Sequence, residues 1–266
     1  MTDSRPLALV TGASAGIGAA YARRLAAEGF DLVLVARRRD RLEALAGELR
    51  SRHGVEVEVL PADLTKGAEL KAVEDRIARA ENLEFLLNNA GFGAGGWFYK
   101  TSVDSHDAMH RLHVMATLRL THAALGRMTA RGRGAVVNVS SVAAFVTRPG
   151  TTSYYATKAW INCFTEGLYL ELKAARSPLR VQALCPGYTL TEFHDVMGFD
   201  RKLVPASLWM SAEDVVEASL RGLARGRLIV VPGWRYKLVV AFLRLMPRFL
   251  LHAMARLAPS RFEPQQ

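Results

Sequence analysis

Short apolar runs alternate along the chain with longer stretches in which apolar residues recur at three- and four-residue spacing. The runs "LALVT" (7–11), "DLVLVAR" (31–37), "VEVEVLPA" (55–62), "EFLLNNA" (84–90), "GAVVNVSS" (134–141), "RVQALCP" (180–186) and "RLIVVP" (227–232) predict strands. Helices are predicted over 16–29, 39–53, 67–81, 103–131, 152–176 and 212–225. Strands this rich in Val and Leu are buried on both faces, as in a parallel sheet whose strands are joined by helical crossovers. The predicted fold is therefore α/β, a single doubly wound domain over 1–232 with a parallel seven-stranded sheet and helices on both faces. No repeat, low-complexity tract or Pro/Ser linker divides it.

Beyond this body lies a basic amphipathic extension, 233–266. Of the net charge of +10, residues 218–262 supply +9, from nine Lys or Arg and no Asp or Glu; the other 26 basic and 25 acidic residues leave +1. Such asymmetry points to an anionic partner or surface. Lys237, Arg244, Arg248, His252 and Arg256 fall within one arc of a helical wheel, with an apolar remainder and Pro247 as a kink or break. The interspersed charges argue against a membrane span. Two readings stay open, docking on this or a neighbouring subunit and peripheral contact with a membrane. Nucleic acid is not expected as a partner, because the tail lacks interleaved stacking aromatics. Two cysteines, Cys163 and Cys185, are too few for a disulfide scaffold and have no metal-ligand spacing. With an N-terminus running straight into strand one, a reducing, cytoplasmic setting without a bound metal is expected.

The chemistry begins at "TGASAGIG" (11–18), between the first strand and first helix. Its Gly12, Gly16 and Gly18 allow positive φ or close approach to the backbone, and the following helix directs free N–H groups at a pyrophosphate. The end of strand two, where an acid ordinarily bonds the adenosine ribose of NAD, reads "ARRRDR" instead. Arg37 and Arg38 offer guanidinium forks for a 2′-phosphate, so NADP is the expected cofactor. In "TTSYYATKAW" (151–160), Lys158 shares a helix face with Tyr154, whereas Tyr155 points elsewhere. An ammonium near a phenol lowers a pKa that is ordinarily about 10.

Taken together, these motifs resemble the short-chain dehydrogenase/reductase family, a Rossmann-fold family, over residues 6 to about 232. The Thr-Gly-x-x-x-Gly-x-Gly loop is matched by Thr11 to Gly18, the adenine-holding acid by Asp63 in "PADL", and the sheet-supporting segment by "NNAG", Asn88 to Gly91. "NVSS" places Ser141 thirteen residues before Tyr154, the family spacing, and "PGYTLT" matches the segment along the nicotinamide. The resemblance implies cofactor contacts from Gly12, Ser14, Gly16, Ile17, Gly18, Asp63, Leu64, Asn89, Ala90, Gly91, Pro186, Gly187, Thr189 and Thr191, besides Tyr154 and Lys158. It implies that Ser141 stabilises a carbonyl oxygen, Tyr154 is the acid/base and Lys158 tunes the tyrosine and binds the ribose. Ser140 is expected to be a structural hydroxyl facing the other side of the sheet.

One departure stands out. His113 occupies the position where the family carries an asparagine that holds a water in the proton relay. It is read either as a packed helix histidine or as a neutral imidazole holding that water on the cofactor side.

Phe92, Trp97, Phe145, Phe193, Met197, Phe199 and Trp209 are candidate walls for a bulky, largely apolar carbonyl substrate, with a lid over 190–212. The reading is an NADP(H)-dependent oxidoreductase acting on a carbonyl or secondary alcohol. The rival is a non-catalytic NADP(H)-binding sensor, which needs none of Ser141, Tyr154 and Lys158 together. The resemblance further implies a homodimer or homotetramer, paired through 103–131 and 152–176.

Overall fold

The computed structural model of the protein describes residues 5–193 and 200–257. Seven strands, β1 (Leu7–Thr11), β2 (Asp31–Ala36), β3 (Val57–Pro61), β4 (Leu83–Asn88), β5 (Ala135–Val139), β6 (Arg180–Leu184) and β7 (Ile229–Val230), form one sheet in the order β3-β2-β1-β4-β5-β6-β7. Every pairing is parallel. The order reverses between β1 and β4, so the crevice beyond their carboxyl ends is where ligands of doubly wound sheets bind.

The alternation within β1 shows how the two layers are divided. Ala8 and Val10 face one side, where they pack with Ala20, Tyr21 and Leu25 of α1 (Gly16–Ala27), Leu42 and Leu49 of α2 (Arg39–His53) and Val215 of a later helix. Leu7 and Leu9 face the other, against Val73 and Ile77 of α3 (Gly67–Ala78) and Leu120 and Met128 of α5 (Thr117–Arg131). Both clusters are almost wholly sequestered from water, and each Leu or Val there contributes about 1.5–3 kcal/mol by burial.

Every predicted strand but the first runs one or two residues too long at the end facing the crevice. Asn89 and Ala90, Ser140 and Ser141, and Cys185 and Pro186 lie beyond β4, β5 and β6. Of these, Asn89, Ala90, Ser140, Ser141 and Pro186 line a cleft at the carboxyl edge of the sheet, whereas Cys185 donates its N–H to the Val230 carbonyl (2.8 Å) of the next strand. The helix predicted over 103–131 is continuous but not uniform. Between α4 (Val103–His110) and α5 it opens into a π-helical turn, Arg111–Ala116, with buried His113 inside it. α6 (Thr152–Ala174) and α7 (Ala212–Ala224) complete the body.

The C-terminal extension forms two helices, α8 (Trp234–Leu245) and α9 (Arg248–Leu257), bent by 118° at Pro247. The single arc of basic residues drawn for one continuous helix is thus split at the bend, and the side chain of Arg256 lies outside the described residues. α8 is docked on the body: Tyr236 and Val240 join Ala183, Cys185 and Val231 in a third core cluster.

Candidate active site

A cleft of about 810 Å³ runs along the carboxyl edge of the sheet. At its nucleotide end the β1–α1 turn places Gly12 at φ 65° and Gly16 at φ 53°, conformations that side-chain-bearing residues rarely adopt. A Cβ on Gly12 would sit 2.6 Å from Asn89 Nδ2, and one on Gly18 would sit 2.3 Å from the Gly12 carbonyl oxygen. Gly18 does not line the cleft; its role is to let α1 approach the loop. Asn89 pins the turn by donating to the carbonyls of Thr11 (3.0 Å) and Gly12 (3.3 Å). Thr11 Oγ1 in return accepts the Asn89 and Ala90 N–H groups. α1 has no side-chain cap, so its first-turn N–H groups stay available to a phosphate.

Arg37 and Arg38 both reach this end but are placed differently. Arg37 is exposed, lines the cleft and has no hydrogen-bond or ion-pair partner among the described residues. Arg38 donates to Ser14 Oγ (3.0 Å) and to Glu192 (2.8 Å), which Arg41 also grips. Sequence reasoning missed Glu192, because nothing local links position 192 to 38. Burial pushes the Asp63 carboxyl up, but bonds from the Thr65 hydroxyl and N–H, with the Arg37 and Lys66 charges, outweigh it and hold it below its usual range. Leu64 lines the same wall, as do Ser14, Ile17, Ala90 and Gly91. Glycines at the close approaches, free first-turn donors, an unpaired guanidinium and an ionised Asp63 in one cleft fit an adenine dinucleotide, including a 2′-phosphate.

Ser141 follows β5 and starts a short turn, accepting the Ala143 N–H at 3.1 Å. Its hydroxyl donates to the Pro186 carbonyl (3.5 Å) and lies close enough to the Tyr154 phenol, in the first turn of α6, to lower its pKa. Burial pushes the Tyr154 phenol up to about 12, against the lowering effect of Ser141. Lys158, one turn on, is 5% exposed, and burial lowers its ammonium to about 8. Its Nζ donates to the Val139 carbonyl (2.9 Å) and stands 5.7 Å from the centre of the Tyr154 ring. The expected lowering of the phenol by Lys158 is therefore not the net effect: the ammonium is turned to a carbonyl, and burial dominates. Ser140 is buried and donates to the Lys158 carbonyl at 2.9 Å, a structural bond that fixes β5 to α6.

His113 is buried within this assembly but does not have the geometry of a water carrier. Nε2 accepts the Phe92 N–H (3.2 Å), which can only donate, so the proton resides on Nδ1 and is given to Thr157 Oγ1 (2.9 Å). Thr157 passes its own proton to the Tyr154 carbonyl (3.0 Å). Both ring nitrogens are thus committed to protein, and the expectation that His113 takes over a water is corrected. It ties the Gly91–Phe92 backbone to α6, and a Cβ on Gly91 would meet Nε2 at 2.8 Å.

Pro186, Gly187, Thr189 and Thr191 cross the cleft above these groups, with the Thr191 methyl over Gly16. Thr189 and Met210 form a bridge across the base of the segment proposed as a lid, with Met210 accepting the Leu190 N–H (2.9 Å) and donating to the Tyr188 carbonyl (3.0 Å). Of the expected aromatic walls, Phe92 and Phe193 line the cleft; Trp97, Phe145 and Trp209 pack elsewhere, and Met197 and Phe199 lie outside the described residues. Trp209 is tilted against Tyr188, which lines the cleft together with Tyr155, Val142 and Leu208. Among the described residues no group of three His, Cys, Asp or Glu is placed to hold a metal.

The sequence profile of the short chain dehydrogenase family matches residues 6–200. The chain belongs to that family. A short-chain dehydrogenase from Sphingobium yanoikuyae, solved in complex with NADPH, is 37% identical with a TM-score of 0.82, covering 98% of each chain. The bulky-bulky ketone specific alcohol dehydrogenase from Comamonas testosteroni is 34% identical with a TM-score of 0.77, covering 98% of this chain and 96% of that one. A very-long-chain 3-oxoacyl-CoA reductase of Anas platyrhynchos is 35% identical over 196 residues, 71% of this chain but only 61% of that protein's length. This short-chain dehydrogenase is accordingly an oxidoreductase that works with a nicotinamide cofactor.

Proposed function

We propose that this enzyme is an NADP(H)-dependent carbonyl reductase or alcohol dehydrogenase for bulky, largely apolar substrates. The observation that carries the reading is that Ser141, Tyr154 and Lys158 converge in one cleft with aromatic and aliphatic walls. The nicotinamide supplies the hydride in reduction and accepts it in oxidation. Ser141 holds the substrate oxygen with a hydrogen bond that strengthens as negative charge develops there. Tyr154 gives that oxygen its proton in reduction and removes it in oxidation. A phenol near 12 keeps the proton in place at neutral pH, so the reductive step starts with the acid loaded. Lys158, one turn from Tyr154 in the same cleft, would hold the nicotinamide ribose.

Preference for NADP over NAD rests on Arg37, whose unpaired guanidinium lines the nucleotide end. The substrate size rests on the width of the site and on the likeness to the Comamonas enzyme. Subunits pair as a homodimer or homotetramer through α4–α5 and α6, which expose Met115, Leu118 and Leu170. The test is NADPH consumption with a panel of branched and aromatic ketones. Turnover by the wild type, lost in Tyr154→Phe while NADPH binding persists, supports the enzyme. NADPH binding with no turnover of any carbonyl supports the sensor reading instead.

A further inference from the structure

The C-terminal helices carry the largest concentration of exposed apolar side chains among the described residues. On α8, Trp234, Leu238, Phe242 and Leu245 follow helical spacing along one outward stripe, opposite the face that buries Tyr236 and Val240. Trp234 is 65% exposed and Leu245 85%. Past the bend, Phe249 (70%), Leu250 and Met254 continue the apolar surface. Cations border the stripe on both sides, Arg235 on one and Lys237 and Arg244 on the other, with Arg248 at the bend. No acidic residue occurs from 218 to 262.

We infer that this face lies on an anionic lipid surface, with α8 and α9 in the plane of the headgroups. An apolar stripe between basic margins is the pattern of an interfacial helix, which buries its apolar side among acyl chains and pairs its cations with anionic headgroups. A second copy fits poorly: a two-fold contact would bring the Arg235, Lys237, Arg244 and Arg248 margins of two copies together, with no carboxylate on either helix to pair them. No single helix is long enough to span: α8, at 12 residues, extends about 18 Å against a hydrocarbon core of about 30 Å, and α9 turns from it by 118°.

The same helix borders the substrate cleft. Tyr236, Val239 and Leu243 of α8 line its wall, so the cleft opens beside the lipid-facing stripe. On the oxidoreductase reading proposed above, this placement defines the substrate class as apolar carbonyl compounds that partition into bilayers and enter from the headgroup side.

The experiment is flotation of the full-length protein with vesicles of phosphatidylcholine alone and of phosphatidylcholine mixed with phosphatidylserine, at low and high salt. Its readout does not depend on turnover, so failure of the lipid reading is distinct from failure of the oxidoreductase reading. The wild type should float with the mixed vesicles, lose most of that binding in high salt and bind the neutral vesicles poorly. The double variant F242E/L245E should lose about tenfold or more of the binding. Its unchanged circular dichroism and unchanged turnover of a water-soluble ketone show that the fold survives. Absence of wild-type flotation, or equal flotation of the variant, overturns the inference. So does a variant whose only change is a smaller sedimenting mass, because the face then joins two copies of the chain.

Discussion

Replacing His113 tests whether it serves as a structural tie. In the folded protein its pKa lies well below 6.5, chiefly because burial disfavours the imidazolium, with the charges of Lys158 and His110 acting in the same direction. The unfolded chain restores a value of about 6.5. Below that pH the unfolded state takes up a proton that the folded state refuses. The stability held by neutral His113 is therefore complete above about pH 6.5 and is lost as the pH falls toward the folded value. Between pH 7.5 and 5.5 the loss is about 1.4 kcal/mol, provided the folded group stays neutral. Urea unfolding of wild type and His113→Asn at both pH values isolates this component, because asparagine does not titrate. The wild type should lose about 1.4 kcal/mol more than the variant over that interval. His113→Leu should be less stable at pH 7.5 by about 1–3 kcal/mol, since it removes the partner of the part-buried Phe92 N–H and the buried bond to Thr157 Oγ1. Equal pH dependence in wild type and His113→Asn would refute the assigned burial and tautomer. The same argument removes His113 as the source of any acidic limb in turnover near its ordinary pKa.

Further expectations concern the cofactor end and the cleft wall. Arg37→Ala should weaken NADPH by about 1.5–3 kcal/mol, seen as a raised KM for NADPH with little change for NADH; equal effects on both cofactors would remove the 2′-phosphate role. Glu192→Gln releases Arg38 from its ion pair at 2.8 Å, so KM for NADPH should fall while that for NADH holds, and a rise for NADPH would contradict competition at Arg38. A Cβ on Gly187 would lie 2.1 Å from the Tyr236 ring, so Gly187→Ala should cost about 1–3 kcal/mol in urea unfolding and expose α8 to proteolysis, whereas unchanged stability would show that the ring moves freely.

What was legible in the sequence follows from the range over which each signal acts. Strand and helix periodicity is local, and it predicted the strand order's seven members and the two-sided core because every strand carries apolar residues on both faces. Gly12 in its turn and Tyr154 with Lys158 on one helix face were singled out by local spacing, whereas Ser141 was named through the family resemblance alone. The bond between Glu192 and Arg38 spans 154 residues and leaves no local pattern. The state of Lys158 was misjudged for a related reason: helical spacing places it one turn from Tyr154 but does not show that the Val139 carbonyl claims its ammonium. At His113 the sequence showed the departure without its consequence, because the partners, Phe92 N–H and Thr157 Oγ1, come from two other segments.

The extension beyond residue 232 shows how a feature that reads as an appendage becomes part of the site. The hydroxyl end of the Tyr236 ring packs on Gly187, in the segment that crosses the cleft, and only the absence of a side chain there admits the ring. Its hydroxyl accepts the Tyr188 N–H (3.1 Å) and donates to the Leu208 carbonyl (2.6 Å), joining both ends of the 190–212 segment to α8. A buried phenol with both bonds satisfied is a rigid connection, because breaking either leaves an unpaired polar group. Movement of α8 is therefore transmitted to the backbone on either side of that segment. A surface that orients α8 from outside, such as the bilayer inferred above, would act on the cleft wall without touching Ser141, Tyr154 or Lys158.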